Sequence, residues 1–245
     1  MTEYTGLAPV YDRLIGPEVP AAWAARLAAL LARRSIGEGL VLDLACGTGT
    51  VTRALALRGY EMLGCDRSPE MLDVARARCA DLPVPPVWVC QDMKELDLYG
   101  TVRAAVCCLD SVNYLTEPGD LLRAFRRVRL FLEPGGVFLF DVKSEALFRE
   151  QGGTVSVYED ADLFSVWQYG APRRGLAVHQ VDIFQKNGEQ YKRFTEEHFQ
   201  RVYTLAALEK TLADAGLRLR AVYRDYTARL AKEEEGRLLL MAEKK

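Results

Sequence analysis

A chain of 245 residues, 49% hydrophobic and 27% charged, has enough apolar content to bury one sizeable core without disulfide or metal staples. A formal charge of −2, with acids interleaved among the arginines and lysines, excludes a global basic field of the kind that gathers nucleic acid. Six cysteines without Cys-x-x-Cys spacing read as small core residues of a reducing compartment, no apolar run approaches the ~20 residues of a membrane span, and Met1-Thr2-Glu3-Tyr4 lacks a signal-peptide layout, so the expected location is the cytoplasm.

Pro20 to Arg34 carries Trp23, Leu27, Leu30 and Leu31 at helical spacing and ends in two arginines, which suit a helix C-terminus. Past Gly37 and Gly39 the period changes. Leu40 to Ala45 reads as the first strand, Thr48 to Arg58 as a helix closed by Gly59, and Tyr60 to Cys65 as the second strand. Ser68-Pro69-Glu70 opens the next helix, with Ser as N-cap, Pro in the first turn and Glu where the dipole favours it. Pro85-Pro86 breaks the chain, Val87 to Cys90 is a third strand, and Ala104 to Leu109 a fourth. A basic amphipathic helix over Leu121 to Leu132 stops at Glu133-Pro134-Gly135-Gly136, and Val137 to Asp141 is a fifth strand. Strands and helices alternating at this spacing predict parallel βαβ units with right-handed crossovers.

From about Gly153 the helices vanish. Val155 to Glu159, Leu163 to Tyr169, Leu176 to Lys186 and Gln190 to Val202 read as strands, with Asn187-Gly188 as a hairpin turn. Thr204 to Ala215 returns to helix with Gly216 at its C-terminus, and Leu217 to Tyr226 and Arg237 to Glu243 close the chain as strands around the charged turn 232–236.

Chemistry concentrates at the ends of the early strands. Leu40-Val41-Leu42-Asp43-Leu44-Ala45-Cys46-Gly47-Thr48-Gly49 is an apolar strand running into a glycine turn, and Asp66 ends the next strand. Glycines let the backbone approach a ligand, and an acid at the second strand end accepts hydrogen bonds from ribose hydroxyls. A dinucleotide fingerprint would need a small residue where Thr52 stands, and Asp43 would repel a pyrophosphate. A ligand with sulfonium and ammonium groups would welcome that acid, although Asp43 could also brace the turn through backbone hydrogen bonds. Asp92-Met93 and Asp110-Ser111 follow the third and fourth strands, where open α/β sheets bind ligands.

Asp43-x-x-Cys46-Gly47-Thr48-Gly49 resembles motif I of class I S-adenosylmethionine-dependent methyltransferases. The resemblance implies an α/β, Rossmann-like, seven-stranded mixed sheet with helices on both faces, closed by a reversed terminal hairpin. It implies S-adenosyl-L-methionine as cofactor, with Gly47 and Gly49 at its amino-acid part, Asp66 on the ribose, Asp92 and Met93 at the adenine, and Leu109 with Asp110 near the sulfur. Asp43, Ala45, Thr48, Arg67 and Met71 complete the expected cofactor-binding set. The opening Tyr4 … Leu7-Ala8-x-Val10-Tyr11-Asp12-x-Leu14 resembles the N-terminal lid of small-molecule methyltransferases, with Tyr11 over the cofactor or packed in the core. Residues 1–152 and 204–245 then form the cofactor-binding domain, 1–36 being the lid and first helix, and 153–203 an antiparallel β insertion that caps the substrate.

Methyl transfer from a sulfonium needs alignment and exclusion of water, and needs a base only where the acceptor must lose a proton. His198 and Tyr114 are the catalytic candidates, though His198 shares a strand face with Phe194 and Val202 and so reads first as a packed structural histidine. His179 reads as structural more firmly still, and two separated histidines without matching ligand spacing make no metal site. No Asn-Pro-Pro-Tyr or Asp-Pro-Pro-Tyr follows strand four, and Arg123, Arg126, Arg127 and Arg129 read as a solvated helix face rather than an RNA-binding surface. The expected partner is a small-molecule substrate, with neither nucleic acid nor membrane and with a monomer or homodimer both open. A methyltransferase acting on nucleic acid or protein, a non-catalytic cofactor-binding module and an NAD-dependent reductase are the competing readings.

Overall fold

The computed structural model describes residues 6–37, 39–231 and 235–245. The expectations for Tyr4 and for most of the charged turn at 232–234 lie outside these residues. The apolar run β1 (Leu40–Leu44) lies inside a seven-stranded sheet. It pairs in parallel with β2 (Glu61–Asp66) on one side and β4 (Val102–Cys107) on the other. Beyond them lie β3 (Val87–Cys90) and β5 (Leu132–Lys143), also parallel, then β11 (Arg237–Lys244) and β10 (Leu217–Arg224), each antiparallel to its neighbour. The spatial order is β10-β11-β5-β4-β1-β2-β3. The chain therefore leaves β1 toward one edge and returns at β4 toward the other, which opens a crevice at the C-terminal ends of those two strands.

Side-chain alternation along the strands sorts the core onto two faces. Leu42, Leu44, Phe138 and Phe140 pack beneath α5 (Asp120–Phe131) and α7 (Leu205–Asp214), whereas Val41, Val137 and Leu139 pack beneath α2 (Glu18–Arg33) and α3 (Thr50–Ala56). Helices thus cover both faces, as the resemblance implied. The arginines of α5 lie on its outer side, with Arg123, Arg126 and Arg129 exposed, as read from the sequence. α4 (Pro69–Arg78) begins at Ser68, whose hydroxyl accepts from the Met71 amide at 3.2 Å, with Pro69 at the first position.

A second, four-stranded antiparallel sheet is built from β6 (Val155–Glu159), β7 (Leu163–Tyr169), β8 (Leu176–Asn187) and β9 (Gln190–Arg201) in that order. Its inner residues Leu163, Val181 and Ile183 pack on Leu7 and Val10 of the N-terminal segment. Polar ties reinforce this contact. One Glu196 carboxylate oxygen accepts from the amides of Gly6 and Leu7 at 2.9 and 3.0 Å, and Arg13 reaches Asp160 and Asp162, both at 2.5 Å.

Several boundaries differ from the sequence reading. A short helix α1 (Tyr11–Ile15) and a helix α6 (Glu145–Gln151) appear where none was expected. α6 turns one apolar residue, Phe148, into the core, too few to show a period; it is held instead by the Ser144 cap and the Glu145–Arg149 pair at 2.6 Å. β4 stops at Cys107, because Leu109 and Asp110 both take left-handed backbone angles, φ 60° and 56°.

Phe125, 1% exposed, meets Phe140 at a centroid separation of 5.1 Å and Phe138 at 5.6 Å, and is the pin between α5 and β5. Phe125→Ala is expected to lower unfolding free energy in urea by roughly 3–5 kcal/mol, the usual cost of a large core deletion. A loss within ~1 kcal/mol would mean that α5 is held by other contacts.

Candidate active site

The turn after β1 is braced by Asp66 at the end of β2. One carboxylate oxygen accepts from the Gly47 amide at 2.8 Å and the other from the Ser68 amide at 2.9 Å. Burial raises the Asp66 carboxyl above its ordinary value, and the Ser68, Gly47 and Arg67 amides pull it back. The two glycines of the motif do different work. Gly47 has φ 53°, and a Cβ placed on it would meet nothing within 4 Å, so its surface is open space. Gly49 has φ 74°, and a Cβ there would lie 2.9 Å from the Ala75 Cβ and 3.0 Å from the Trp88 ring. At Gly49 the small size also lets the turn pack on α4 and β3. Asp43 is 1% exposed and accepts from the Thr52 hydroxyl at 2.6 Å, with burial pushing its carboxyl up to about 7. Thr52 braces Asp43 through both its hydroxyl and its backbone amide.

Around this turn lies a cleft, part of it open to solvent, at the strand ends where the sheet order reverses. Tyr11, Ala45, Gly47, Asp66, Arg67 and Met71 line one part of it, and Asp92, Met93 and Leu109 another. A small recess beside it brings in Asp43 and Thr48. The Thr48 hydroxyl donates to Asp12 at 2.7 Å, and Asp12 also pairs with Arg78, so the N-terminal segment is seated on the turn itself. Ser111, already noted at the end of the fourth strand, lines the cleft as well, and Gln91, Lys94 and Leu115 do so without having been read from sequence. Gln91 and Lys94 stand just past β3, so extending the strand-end rule by a few residues would have found them, whereas Leu115 follows the short helical turn Ser111–Tyr114.

Asp110 departs from its expected place. It does not line the cleft; its left-handed backbone turns the carboxylate into an adjoining cavity. There it accepts from Arg237 Nη1 at 2.7 Å and Gln200 Nε2 at 2.7 Å, with Lys143 Nζ at 3.2 Å. Burial pushes its carboxyl up, but Lys143 and Arg237 outweigh burial and hold it below the usual carboxylate range. This second cavity, about 360 Å3, lies between the two sheets and shares Tyr11, Leu109, and Tyr114 with the cleft.

The β-sheet wall of the cavity is aromatic. His198 stacks on Trp167 at 6.1 Å and lies 3.2 Å through Nδ1 from the Tyr114 hydroxyl, and its Nε2 is 3.5 Å from Glu196. His198 is thus both packed, at 1% exposure, and cavity-lining. His179, its partner across β8 and β9, also lines the cavity. It stacks on Phe148, and its Nε2 is 3.2 Å from Gln200 Oε1. Because Gln200 donates through Nε2 to the Asp110 carboxylate, its Oε1 is an acceptor, and the His179 proton sits on Nε2. Burial, then Lys143, lowers the His179 pKa to about 4. No thiolate chemistry is available from Cys46, Cys107 or Cys108, whose thiols burial pushes well above their ordinary value.

An imidazole that titrates at 6.5 when unfolded and at about 4 when folded binds fewer protons in the native state between those values. Stability is therefore lost as pH falls through that window, by about 3 kcal/mol through this residue. His179→Phe, which keeps the stack on Phe148, is expected to lose correspondingly less stability than the parent between pH 7 and pH ~4.5 in urea titrations. Equal losses would show that His179 is not the group responsible.

A family model for a methyltransferase domain matches residues 41–136. YqeM of Bacillus subtilis, assigned as a methyltransferase, is 35% identical over 98% of this chain and 97% of its own length. An N,N-dimethyltransferase of Streptomyces fradiae, named for dTDP-3-amino-3,6-dideoxy-alpha-D-glucopyranose, is 28% identical over 79% of each chain. Among solved structures, an S-adenosylmethionine-dependent methyltransferase from Clostridium acetobutylicum superposes with a TM-score of 0.88 at 30% identity, covering 99% of both chains. With the glycine turn, the strand-end acids and this likeness over its whole length, the chain belongs to the class I S-adenosylmethionine-dependent methyltransferases and takes S-adenosyl-L-methionine as its cofactor.

Proposed function

We propose that this enzyme transfers the methyl group in line to a small-molecule acceptor held in the cavity beneath the second sheet, residues 153–203 acting as its cap. The observation that supports this reading is the junction of the two cavities at Tyr11, Leu109 and Tyr114, where an acceptor on one side would meet a cofactor on the other. The cleft residues suit the cofactor chemically. Gly47 leaves room for the amino-acid part, and Asp43 and Thr48 line the recess next to it. The Asp66 carboxylate, with the Gly47, Ser68 and Arg67 amides on it, still has acceptor capacity for a ribose hydroxyl. Asp92 and Met93 lie at the adenine end, Arg67 and Met71 between, and Leu109 near the sulfur.

When bound, the cofactor supplies a methyl already activated on a sulfonium. The protein's contribution is alignment and exclusion of water. Tyr11 comes from the N-terminal segment, which clasps the turn through Asp12 and the second sheet through Arg13 and Glu196, so closing the cofactor site and closing the cap are one packing event. Tyr114 and His198 form a hydroxyl–imidazole pair within reach of the junction and would take a proton from an acceptor that must lose one. A cavity of about 360 Å3 suits a free metabolite better than a group carried on a polymer. The amino-sugar relative supports an acceptor of that size, with an amine as the favoured nucleophile.

Asp66→Ala is expected to weaken cofactor binding in calorimetry by roughly 1–3 kcal/mol, the cost of removing a buried hydrogen-bonding partner. Incubation with labelled cofactor and metabolite extract should label a compound of low molecular mass. Unchanged affinity in the variant, or label appearing only in protein or nucleic acid, would overturn the reading.

A further inference from the structure

The floor of the second cavity holds an arginine that is only half used. Arg237 projects from the start of β11, and both of its hydrogen bonds leave through Nη1, to Asp110 Oδ1 at 2.7 Å and to Asp141. Its Nε and Nη2 meet no acceptor among the described residues, and neither is a sealed atom. The side chain is 19% exposed and lines the cavity. Nε and Nη2 form the side-on edge of a guanidinium, two parallel N–H groups spaced to match two oxygens of one carboxylate or phosphate. Tying Nη1 to two carboxylates fixes the guanidinium plane, so this edge is held in place before any ligand arrives.

The charge balance points the same way. Two cations, Lys143 and Arg237, line the cavity against one carboxylate, Asp110, while the Asp141 carboxylate that balances the cluster meets Arg237 from outside the lining. Asp141 lies behind them, fully buried. Asp110 is already engaged by Lys143, Arg237 and Gln200, so its own oxygens face protein donors rather than the ligand.

We infer that the acceptor molecule carries an anionic oxygen group, carboxylate or phosphate, seated on the Nε–Nη2 edge of Arg237 with Lys143 beside it. This rests on the small-molecule reading above and names the substrate class for that cavity. The aromatic wall of Trp167, Tyr169 and the two histidines then faces the remainder of the molecule. The anion anchors one end, which leaves the other end to reach the junction at Tyr114.

The test needs no knowledge of the natural acceptor. Benzoate and phenyl phosphate are titrated into the full-length enzyme, with benzamide and benzyl alcohol as uncharged matches for the aromatic wall, and binding is read by ligand-observed NMR. At least one anion should bind roughly 10–100-fold more tightly than the uncharged pair, the gain expected from charge-assisted hydrogen bonds. Preference for phenyl phosphate over benzoate would identify a phosphate-bearing acceptor, and the reverse a carboxylate. Arg237→Lys, which keeps the charge and removes the paired edge, should lose most of that preference while its melting curve shows it folded. Benzamide binding as well as both anions, or a folded Arg237→Lys with parental anion affinity, would overturn the inference. If that variant does not fold, the charged-against-uncharged comparison in the parent decides alone. Cofactor titration of the same samples reads the cleft separately. Loss of anion binding with intact cofactor binding sinks only the anion seat, whereas absent cofactor binding sinks the functional reading beneath it.

Discussion

A cluster of buried charges ties the molecule together where its two sheets meet. Asp110 after β4, Asp141 and Lys143 on β5, Arg237 on β11 and Gln200 on β9 converge on one point, and Asp141 also accepts the Asp110 amide at 3.0 Å. Charges removed from water are costly, so each must keep its partners, and breaking one such pair typically costs about 3–5 kcal/mol. What the cluster contributes is arrangement. It fixes the left-handed turn at Leu109 and Asp110, joins the second sheet to the first through Gln200, and sets the tautomer of His179. Of the groups that line the second cavity, Arg237, Lys143 and Gln200 are held by Asp110 directly and His179 through Gln200.

The N-terminal segment is the second tie. Within a few residues it offers Leu7 and Val10 to the second sheet, Asp12 to the cofactor turn, Arg13 to Asp160 and Asp162, and Tyr11 to both cavities. Its helix α1 is too short to be stable by itself and is held by these tertiary contacts. A segment so placed ties the glycine turn to the second sheet.

Much of the fold was legible because adjacent residues encode it. The Ser68-Pro69-Glu70 cap, the Asn187-Gly188 hairpin and the alternation of Val137, Phe138, Leu139 and Phe140 are local signals, and the structure follows them. Local signals failed where one side chain did the packing, as at α6, and where backbone angles rather than residue type ended a strand, as at Leu109. The glycine motif was read as one unit, yet only Gly47 faces open space, and Gly49 is demanded by Ala75 and Trp88.

The sequence by itself determined the order of strands and helices, the glycine turn with its strand-end acids, and through them the family and the cofactor. Each of these depends on residues close together in the chain, where periodicity, capping and turn geometry act. The tertiary structure alone decided that Asp110 turns away from the cleft, that His179 lines a cavity and donates through Nε2 to Gln200, and that Arg237 keeps an unused edge. These depend on partners far apart in sequence, Asp110 with Gln200 and Arg237 above all. Hydrogen-bond direction and burial exist only once folding has brought such groups together, and no local pattern records them.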